Sequence, residues 1–471
     1  MILGIIGILL SLALLITLAY RGVPVLIAAP IASIVALVFS QAPLLPAYTE
    51  IFMPAMAGFI GNFFPVFLTG AIFGMLMTVT GYAKSIATSV TSLIGGKAAI
   101  AATVVTSALM TYGGISLFVV AFVMYPLARE LFRVADIPRR LIPATIALGI
   151  FTFTMTALPG TPQVQNIIPG QFFGTGSFAG VAIGIIGSIF VIVFGMAWLE
   201  FRTRQLRKKG EHFSSVHNGG EEELQNGNGT KQATVTLAEP TNRVIPFLPL
   251  LTVFVVNFAC TLYIFPAMDW SYLSEEQYGG ITLANRAALW AVLVGITAAI
   301  LLILLINVRH FRELIRAVGE GAKNSMFPVF STASEVGYGA VVASVAAFAV
   351  VRDSIFNMGA NAIITSVVTV SITVGLTGSS SGGMTIALNA LGDELREMAI
   401  ADDISLEVMH RLTAMASGGL DTLSHSGAVV TLLIVCGLTH KQSYKDLAVI
   451  TIVGPVTAVA LLVGAVSLGM F

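Results

Sequence analysis

Gly418-Gly419-Leu420-Asp421-Thr422-Leu423-Ser424-His425-Ser426-Gly427 sits inside an apolar window, with Leu412 to Ala416 before it and Val429 to Cys436 after it. The window, roughly 30 residues, is long enough to cross a bilayer. Its centre nevertheless holds a carboxylate, an imidazole, glycines and hydroxyls. Glycine adds backbone freedom and hydroxyls compete for backbone partners, so both loosen a helix. An ionisable group at bilayer depth costs about 2.5–3.5 kcal/mol on insertion scales. Irregular backbone at that depth survives only when buried in protein or lining a wet cavity. The stretch reads as a broken membrane helix whose unwound centre binds something polar.

The rest of the composition agrees. The chain is 56% hydrophobic and only 10% charged, where a soluble domain carries about 25% charged residues. This excludes a soluble enzyme and indicates a polytopic protein whose partner is the lipid bilayer. Lysine plus arginine equals aspartate plus glutamate at 24 each, which gives no reason to expect a nucleic-acid partner. Cys260 and Cys436 both lie in apolar spans and form neither a disulfide framework nor a metal motif. No cofactor or metal is expected. No lysine or arginine precedes Arg21, so the apolar start reads as a first transmembrane helix rather than a cleavable signal.

Apolar windows fall at about 2–20, 23–40, 51–80, 98–125, 141–175 and 177–199, and again at 244–265, 287–306, 324–350, 360–390, 408–438 and 447–471. Between the two sets, Glu200 to Arg243 is rich in Gly, Asn, Gln and charge and reads as a solvated linker. The equal numbers of windows suggest a duplication. Phe64-Pro65-Val66-Phe67-Leu68-Thr69 returns as Phe327-Pro328-Val329-Phe330-Ser331-Thr332 at an offset of 263, and Gly74 falls on Gly337. Gly113-Gly114 returns as Gly382-Gly383, and the break from Leu158 to Gln163 matches Leu420 to His425 at an offset of 262.

Charge sets the topology. Arg129, Arg133, Arg139 and Arg140 follow the window 98–125, and Arg202, Arg204, Arg207, Lys208 and Lys209 close the first half. Two crossings separate these clusters, so they share a side, the cytoplasmic one. Lys84 and Lys97 join them only if 98–125 is a re-entrant hairpin. The same reasoning makes 360–390 a hairpin from the other side. Each half then has five crossings and one hairpin, and the odd number inverts the second half. All of the 24 basic residues become cytoplasmic except Arg286, Arg352, Arg396 and Arg411.

The expected fold is therefore an all-α polytopic membrane protein of two inverted-topology repeats. The first repeat is 1–200, with scaffold 1–80, hairpin 98–125 and broken helix 141–175. A cytoplasmic linker spans 201–243. The second repeat is 244–471, with scaffold 244–350, hairpin 360–390 and broken helix 408–438. Tyr82 to Lys97 and Val351 to Gly359 would be interfacial arms joining scaffold to carrier.

Four interruptions carry the candidate chemistry. Two are hairpin tips, with Tyr112, Gly113, Gly114 and Ser116 in one and Ser379, Ser380, Ser381, Gly382 and Gly383 in the other. Two are helix breaks, with Thr161, Gln163, Gln165 and Asn166 in one and Thr422, Ser424 and Ser426 in the other. Broken helices at the midplane of inverted repeats are how many secondary transporters build a binding site. Half-helix N-termini present N–H groups and partial positive charge, which suits a carboxylate. Asp421 and His425 titrate readily when their surroundings change and are candidates for proton coupling. Glu335 is a third; its counterpart in the first half is Ile72, so a packing role is equally open. Gly378-Ser379-Ser380-Ser381-Gly382 also fits the hydrolase pattern G-x-S-x-G, but that pattern needs a strand–turn–helix elbow and this context is helical.

Ala157-Leu158-Pro159-Gly160-Thr161-Pro162-Gln163, the stretch from Gly418 to Val430 and the double-glycine tips resemble the gluconate permease family of the ion transporter superfamily, over nearly the whole chain. The second break is most similar to hydroxybutyrate permeases, although Ser424 and Ser426 stand where many members have proline and asparagine. The resemblance implies proton-coupled uptake of a small hydroxy-monocarboxylate such as 3-hydroxybutyrate or gluconate. It further implies a homodimer in the bacterial inner (plasma) membrane, working as an elevator. Sodium coupling, a passive channel and an intramembrane serine hydrolase are the alternatives to that function.

Overall fold

The computed structural model describes residues 2–21, 23–94, 98–115, 117–215, 244–348, 361–424 and 426–470. Among them all regular structure is helical. The first half runs α1 (Ile2–Tyr20), α2 (Val25–Phe39), α3 (Leu44–Val79), α4 (Tyr82–Ile94), α5 (Ala99–Tyr112), α6 (Leu117–Val134), α7 (Ile142–Ile150), the single turn α8 (Phe153–Thr156), α9 (Val164–Phe173) and α10 (Val181–Lys208). The second half runs α11 (Ile245–Ala267), α12 (Ala287–Ile306), α13 (Phe311–Ser344), α14 (Ala362–Thr377), α15 (Ser380–Ala401), α16 (Leu406–Ser417), α17 (Gly427–Val435) and α18 (His440–Ser467). The order is the same in both: two helices, one long helix, a helical hairpin, a helix broken in the middle, and a last long helix. Among the described residues, α3, α10, α11, α12 and α18 are each long and apolar enough to cross a membrane unaided.

Packing shows the inversion directly. The long helices α3 and α13 correspond, and both carry the Phe-Pro-Val-Phe sequence. They pack antiparallel. A Cβ on Gly321, early in α13, would lie 2.7 Å from the Cα of Ile72, late in α3. One on Gly337, late in α13, would lie 2.9 Å from the carbonyl of Phe52, early in α3. Backbones this close tolerate only glycine. The last helices behave alike: Arg202 near the end of α10 pairs with Asp446 near the start of α18, while Gly187 near the start of α10 faces Leu462 near the end of α18. Corresponding helices that run antiparallel make the second half an inverted copy of the first.

Several expected boundaries differ, for one reason. The hairpins extend to Val134 and Ala401, and α10 extends to Lys208. Each continuation carries charges (Arg129, Glu130 and Arg133; Asp393, Glu394 and Glu397; Arg204 and Arg207). A hydropathy window therefore stops before the helix does. Residues 209–215 fold back onto the turn after α6, where the Asp136 carboxylate accepts from His212 Nδ1 and from the Phe213 amide. The arm after α3 is the helix α4, packed on α5. Its counterpart, expected from Val351 to Gly359, lies outside the described residues, as do 216–243 of the linker.

Candidate functional site

The first break is opened by two prolines and braced by amides. Pro159 and Pro162 lack the N–H that a continuous helix would need, and Gly160 takes φ of 77°. Tyr112 Oη donates to the Pro159 carbonyl at 2.8 Å, and Gln163 Nε2 donates to the Thr111 carbonyl at 2.8 Å. These two bonds tie the tip of the α5–α6 hairpin to the break. Asn166 Nδ2 donates to the carbonyls of Thr161 at 2.9 Å and Ser177 at 2.8 Å. Asn257, on α11, donates to the Gly160 carbonyl at 3.0 Å. The amide nitrogens of Gln163 and Asn166 thus donate to the protein's own backbone. Thr161 is fully buried, and its hydroxyl has no partner among the described residues. Gln165 is buried in the first turn of α9.

The first tip turns through Gly113 and Gly114. Gly114 has φ of 93°, the left-handed region that favours glycine, and a Cβ there would meet Pro162 at 3.4 Å. Gly113 is pressed against Leu250 of α11. Ser116 lies outside the described residues.

The second break follows Ser417. Asp421 is 7% exposed, and its Oδ1 has no partner among the described residues. His425 is outside them, so its expected relation to Asp421 is not described. Thr422 donates to Thr451 Oγ1 at 2.7 Å, and the Thr422 carbonyl accepts from Tyr444 at 3.2 Å. The Ser424 carbonyl lies 2.9 Å from His440 Nε2. Ser426 is buried at the start of α17.

The second tip closes on this break. Gly378 takes φ of 68°, and Ser379 caps α15 by accepting from the Gly382 amide at 3.2 Å. The Ser380 and Ser417 hydroxyls are 2.8 Å apart. Ser380 therefore meets a hydroxyl, and no imidazole among the described residues is bonded to it. Ser381 is buried beside it. Gly383 lies against the backbone of Val374, so its bareness lets α14 and α15 approach. Gly382 lies against Oε2 of Glu335, which reaches across from α13. Glu335 is 6% exposed, and Oε2 has no partner among the described residues.

The two breaks meet. A Cβ on Gly418 would lie 2.8 Å from Thr156, which precedes the first break. The sequence of contacts is therefore tip, break, break, tip, with Glu335 presented from outside the series. Among the described residues, Thr161 Oγ1, Asp421 Oδ1 and Glu335 Oε2 stand unpartnered along it, as does Thr111 Oγ1 beside the first tip. No group of three metal-ligating side chains occurs among the described residues.

Sequence reasoning missed Arg411 and His410. Arg411, on α16, is 0% exposed. Its donors reach Asn166 Oδ1 at 2.7 Å, the Ala179 carbonyl at 2.6 and 3.0 Å, the Ser177 carbonyl at 3.3 Å and the Thr156 carbonyl at 3.4 Å. It staples the second half to the first break. Its electrostatic neighbours are Tyr112 and Glu407. His410 is also fully buried, with Nδ1 2.7 Å from Thr175 Oγ1 and Nε2 without a partner among the described residues.

Paired helix breaks and hairpin tips, joined inside an inverted-repeat helical bundle, define a membrane transporter. The chain is 40% identical over 455 residues, 95% of its own length and 95% of the relative's, to the uncharacterized transporter YxjC of Bacillus subtilis (strain 168), and it belongs to that family. Its fold is similar to the crystal structure of the YdaH transporter of Alcanivorax borkumensis, described as having an unusual topology, with a TM-score of 0.52 and 16% identity over 88% of each chain. That likeness is one of fold alone. No family model matches the chain. These relatives support a transporter and do not extend to the narrower gluconate permease resemblance.

Proposed function

We propose that the protein is a secondary active transporter that takes up a small hydroxy-monocarboxylate, 3-hydroxybutyrate, gluconate or a similar acid, together with protons. The observation that carries this reading is the joining of both tips and both breaks, with buried polar atoms left unpartnered along the series. Helix N-termini at such a junction bind an anion through their free N–H groups. The resemblance to gluconate permeases supplies the substrate class. Two buried carboxylates supply proton sites, Asp421 in the second break and Glu335 on α13, with His425, four residues after Asp421 in sequence, as a further candidate. In an elevator, α1–α3 and α11–α13 form the scaffold and the hairpins with the broken and final helices form the carrier. The antiparallel seam of α3 and α13 supports the first grouping, and the linked interruptions support the second. A homodimer in the bacterial inner membrane completes the proposal.

Uptake of radiolabelled hydroxy acids into proteoliposomes tests it. Accumulation driven by an inward pH gradient, and not by a sodium gradient, is expected for at least one of the compounds. Asp421→Asn should abolish accumulation while retaining substrate binding. Accumulation driven by sodium alone, or equilibration without accumulation, would replace the proposal by a sodium symporter or a passive channel.

A further inference from the structure

The second tip already holds a carboxyl group belonging to the protein. The long helix α15 starts at Ser380, and its N-terminus carries about half a positive charge. Of its first amides, Gly382 donates to Ser379 Oγ and Gly383 to the Ser379 carbonyl. The carboxyl group of Glu335 lies against Gly382, with Oε2 buried and unpartnered among the described residues. A side chain on Gly382 would collide with Oε2, so the glycine is what admits the carboxyl group.

Among the described residues, the other buried carboxyl group near this tip is Asp421, in the break that Ser380 meets. Helices α1 and α2, which reach the adjoining Tyr338 and Ser334 through Ser11 and the Leu26 carbonyl, carry no charged residue. The long helix α3 carries one charged residue, Glu50, which is exposed at the start of the helix, two residues before the Phe52 that packs on Gly337, and α14 carries none. The charges of α15 begin at Asp393, three turns beyond the tip, and those of α13 end at Lys323, more than three turns before Glu335. Arg352 and Asp353 lie outside the described residues. The first half has Ile72 in the corresponding place, and its tip meets the neighbouring Phe73 instead. The carboxyl group is thus a feature of one tip only, and the duplication does not explain it.

We propose that Glu335 is a resident competitor at the N-terminus of α15, so that its ionised form and a substrate carboxylate exclude one another there. This rests on the reading of the protein as a carboxylate transporter. Two carboxylates sharing one dry site cannot both be ionised without strong repulsion. Substrate therefore enters with one proton taken from solution, which adds to a Glu335 oxygen and neutralises it. On release the proton leaves and Glu335 reoccupies the helix terminus. Coupling is built into occupancy of the tip.

The inference predicts an unusual sign. Glu335→Gln removes the competitor while keeping its size, so this variant should bind substrate more tightly than wild type at alkaline pH. One obligatory proton makes the apparent Kd rise tenfold per pH unit above the titration range, and the variant should lose that one power of ten. Isothermal titration of the purified full-length protein with 3-hydroxybutyrate and gluconate, in buffers of different ionisation enthalpy, counts protons taken up per substrate. The count should fall by one in Glu335→Gln. If that variant does not fold, Glu335→Ile copies the corresponding residue of the first half. An unchanged proton count, or weaker binding at alkaline pH, overturns the proposal while leaving a carboxylate transporter in place. Titration with formate covers the remaining case: if neither the hydroxy acids nor formate binds wild type, the carboxylate reading and the competition fall together.

Discussion

Arg411 offers the most direct test of how the two halves are joined. Arg411→Met keeps most of the apolar stem and removes every donor. The Ser177 carbonyl would keep its bonds from the Gly160 amide and Asn166 Nδ2. Asn166 Oδ1 and the Ala179 carbonyl would lose the bonds they accept from the guanidinium. Each buried acceptor stranded in this way costs about 1–3 kcal/mol, or about 2–6 kcal/mol for the two. Relief from burying a guanidinium works in the opposite direction, but replacing a buried ion is neutral only when its partners are replaced as well. Here four residues contribute acceptors, three of them through backbone carbonyls that no side-chain change can remove. The net effect should be a loss of several kcal/mol, concentrated at the first break. The assay is thermal unfolding in detergent, followed by fluorescence-detected size exclusion, for wild type, Arg411→Met and Arg411→Lys. Lysine keeps the charge but not the planar fork, so it should fall between the other two. A melting temperature for Arg411→Met within a degree of wild type would refute the staple.

A cysteine placed at Ser405 should react with an impermeant maleimide outside intact cells, and one at Ala135 should not. The structure separates these sites by the length of α10, whose start touches Glu407 and Arg411 and whose end donates to the Ala135 carbonyl. Its 28 residues span about 42 Å at ~1.5 Å per residue, and reaction at both positions would deny the inverted topology. Gly114→Val should reduce substrate-induced thermal stabilisation in protein that still runs as a folded species, because a Cβ there has room apart from its strained φ. Gly383→Val should fail to fold, because it would push apart the two helices of its hairpin; a well-folded Gly383→Val would contradict that close approach. Hydrogen bonds from His212 and from the Phe213 amide hold the Asp136 carboxyl below the usual carboxylate range. The fold-back of 209–215 should therefore be fully present above the ordinary carboxylate pKa and be lost as pH falls through the lowered value. Hydrogen exchange of that segment should rise at acid pH, and Asp136→Asn should raise it at neutral pH.

The order of elements was legible because its signals are local. Proline and glycine interrupt a helix wherever they stand, and a hydropathy window needs only its own residues. The repeat of Phe64 to Thr69 at Phe327 to Thr332 then aligned α3 with α13, the pair that forms the central antiparallel seam. Helix ends were less legible, since α10 continues through Arg202, Arg204 and Arg207 as a charged helix. The roles of Gln163 and Asn166 could not be read at all. A neutral amide at a break suits a ligand or a backbone carbonyl equally well, and the choice depends on Thr111, Thr161 and Ser177, which the fold brings alongside.

Arg411 shows where the missing signal lay. Its carbonyl partners are 232 to 255 residues distant in sequence, and a carbonyl is an acceptor that every residue carries, so no motif announces them. Yet Arg411 was one of four basic residues that broke the positive-inside pattern, and it fell inside a window assigned to the membrane. A charge that topology does not explain and that lies at membrane depth needs an internal reason. The same test applies to Glu335, a carboxylate that the duplication does not supply, placed where the first half has Ile72. Both residues depart from symmetry, and both bear on the interruptions: Arg411 joins α16 to the first break, and Glu335 reaches the second tip. In a duplicated fold the shared residues build the frame. The charges that only one copy carries are where the two tips can come to differ.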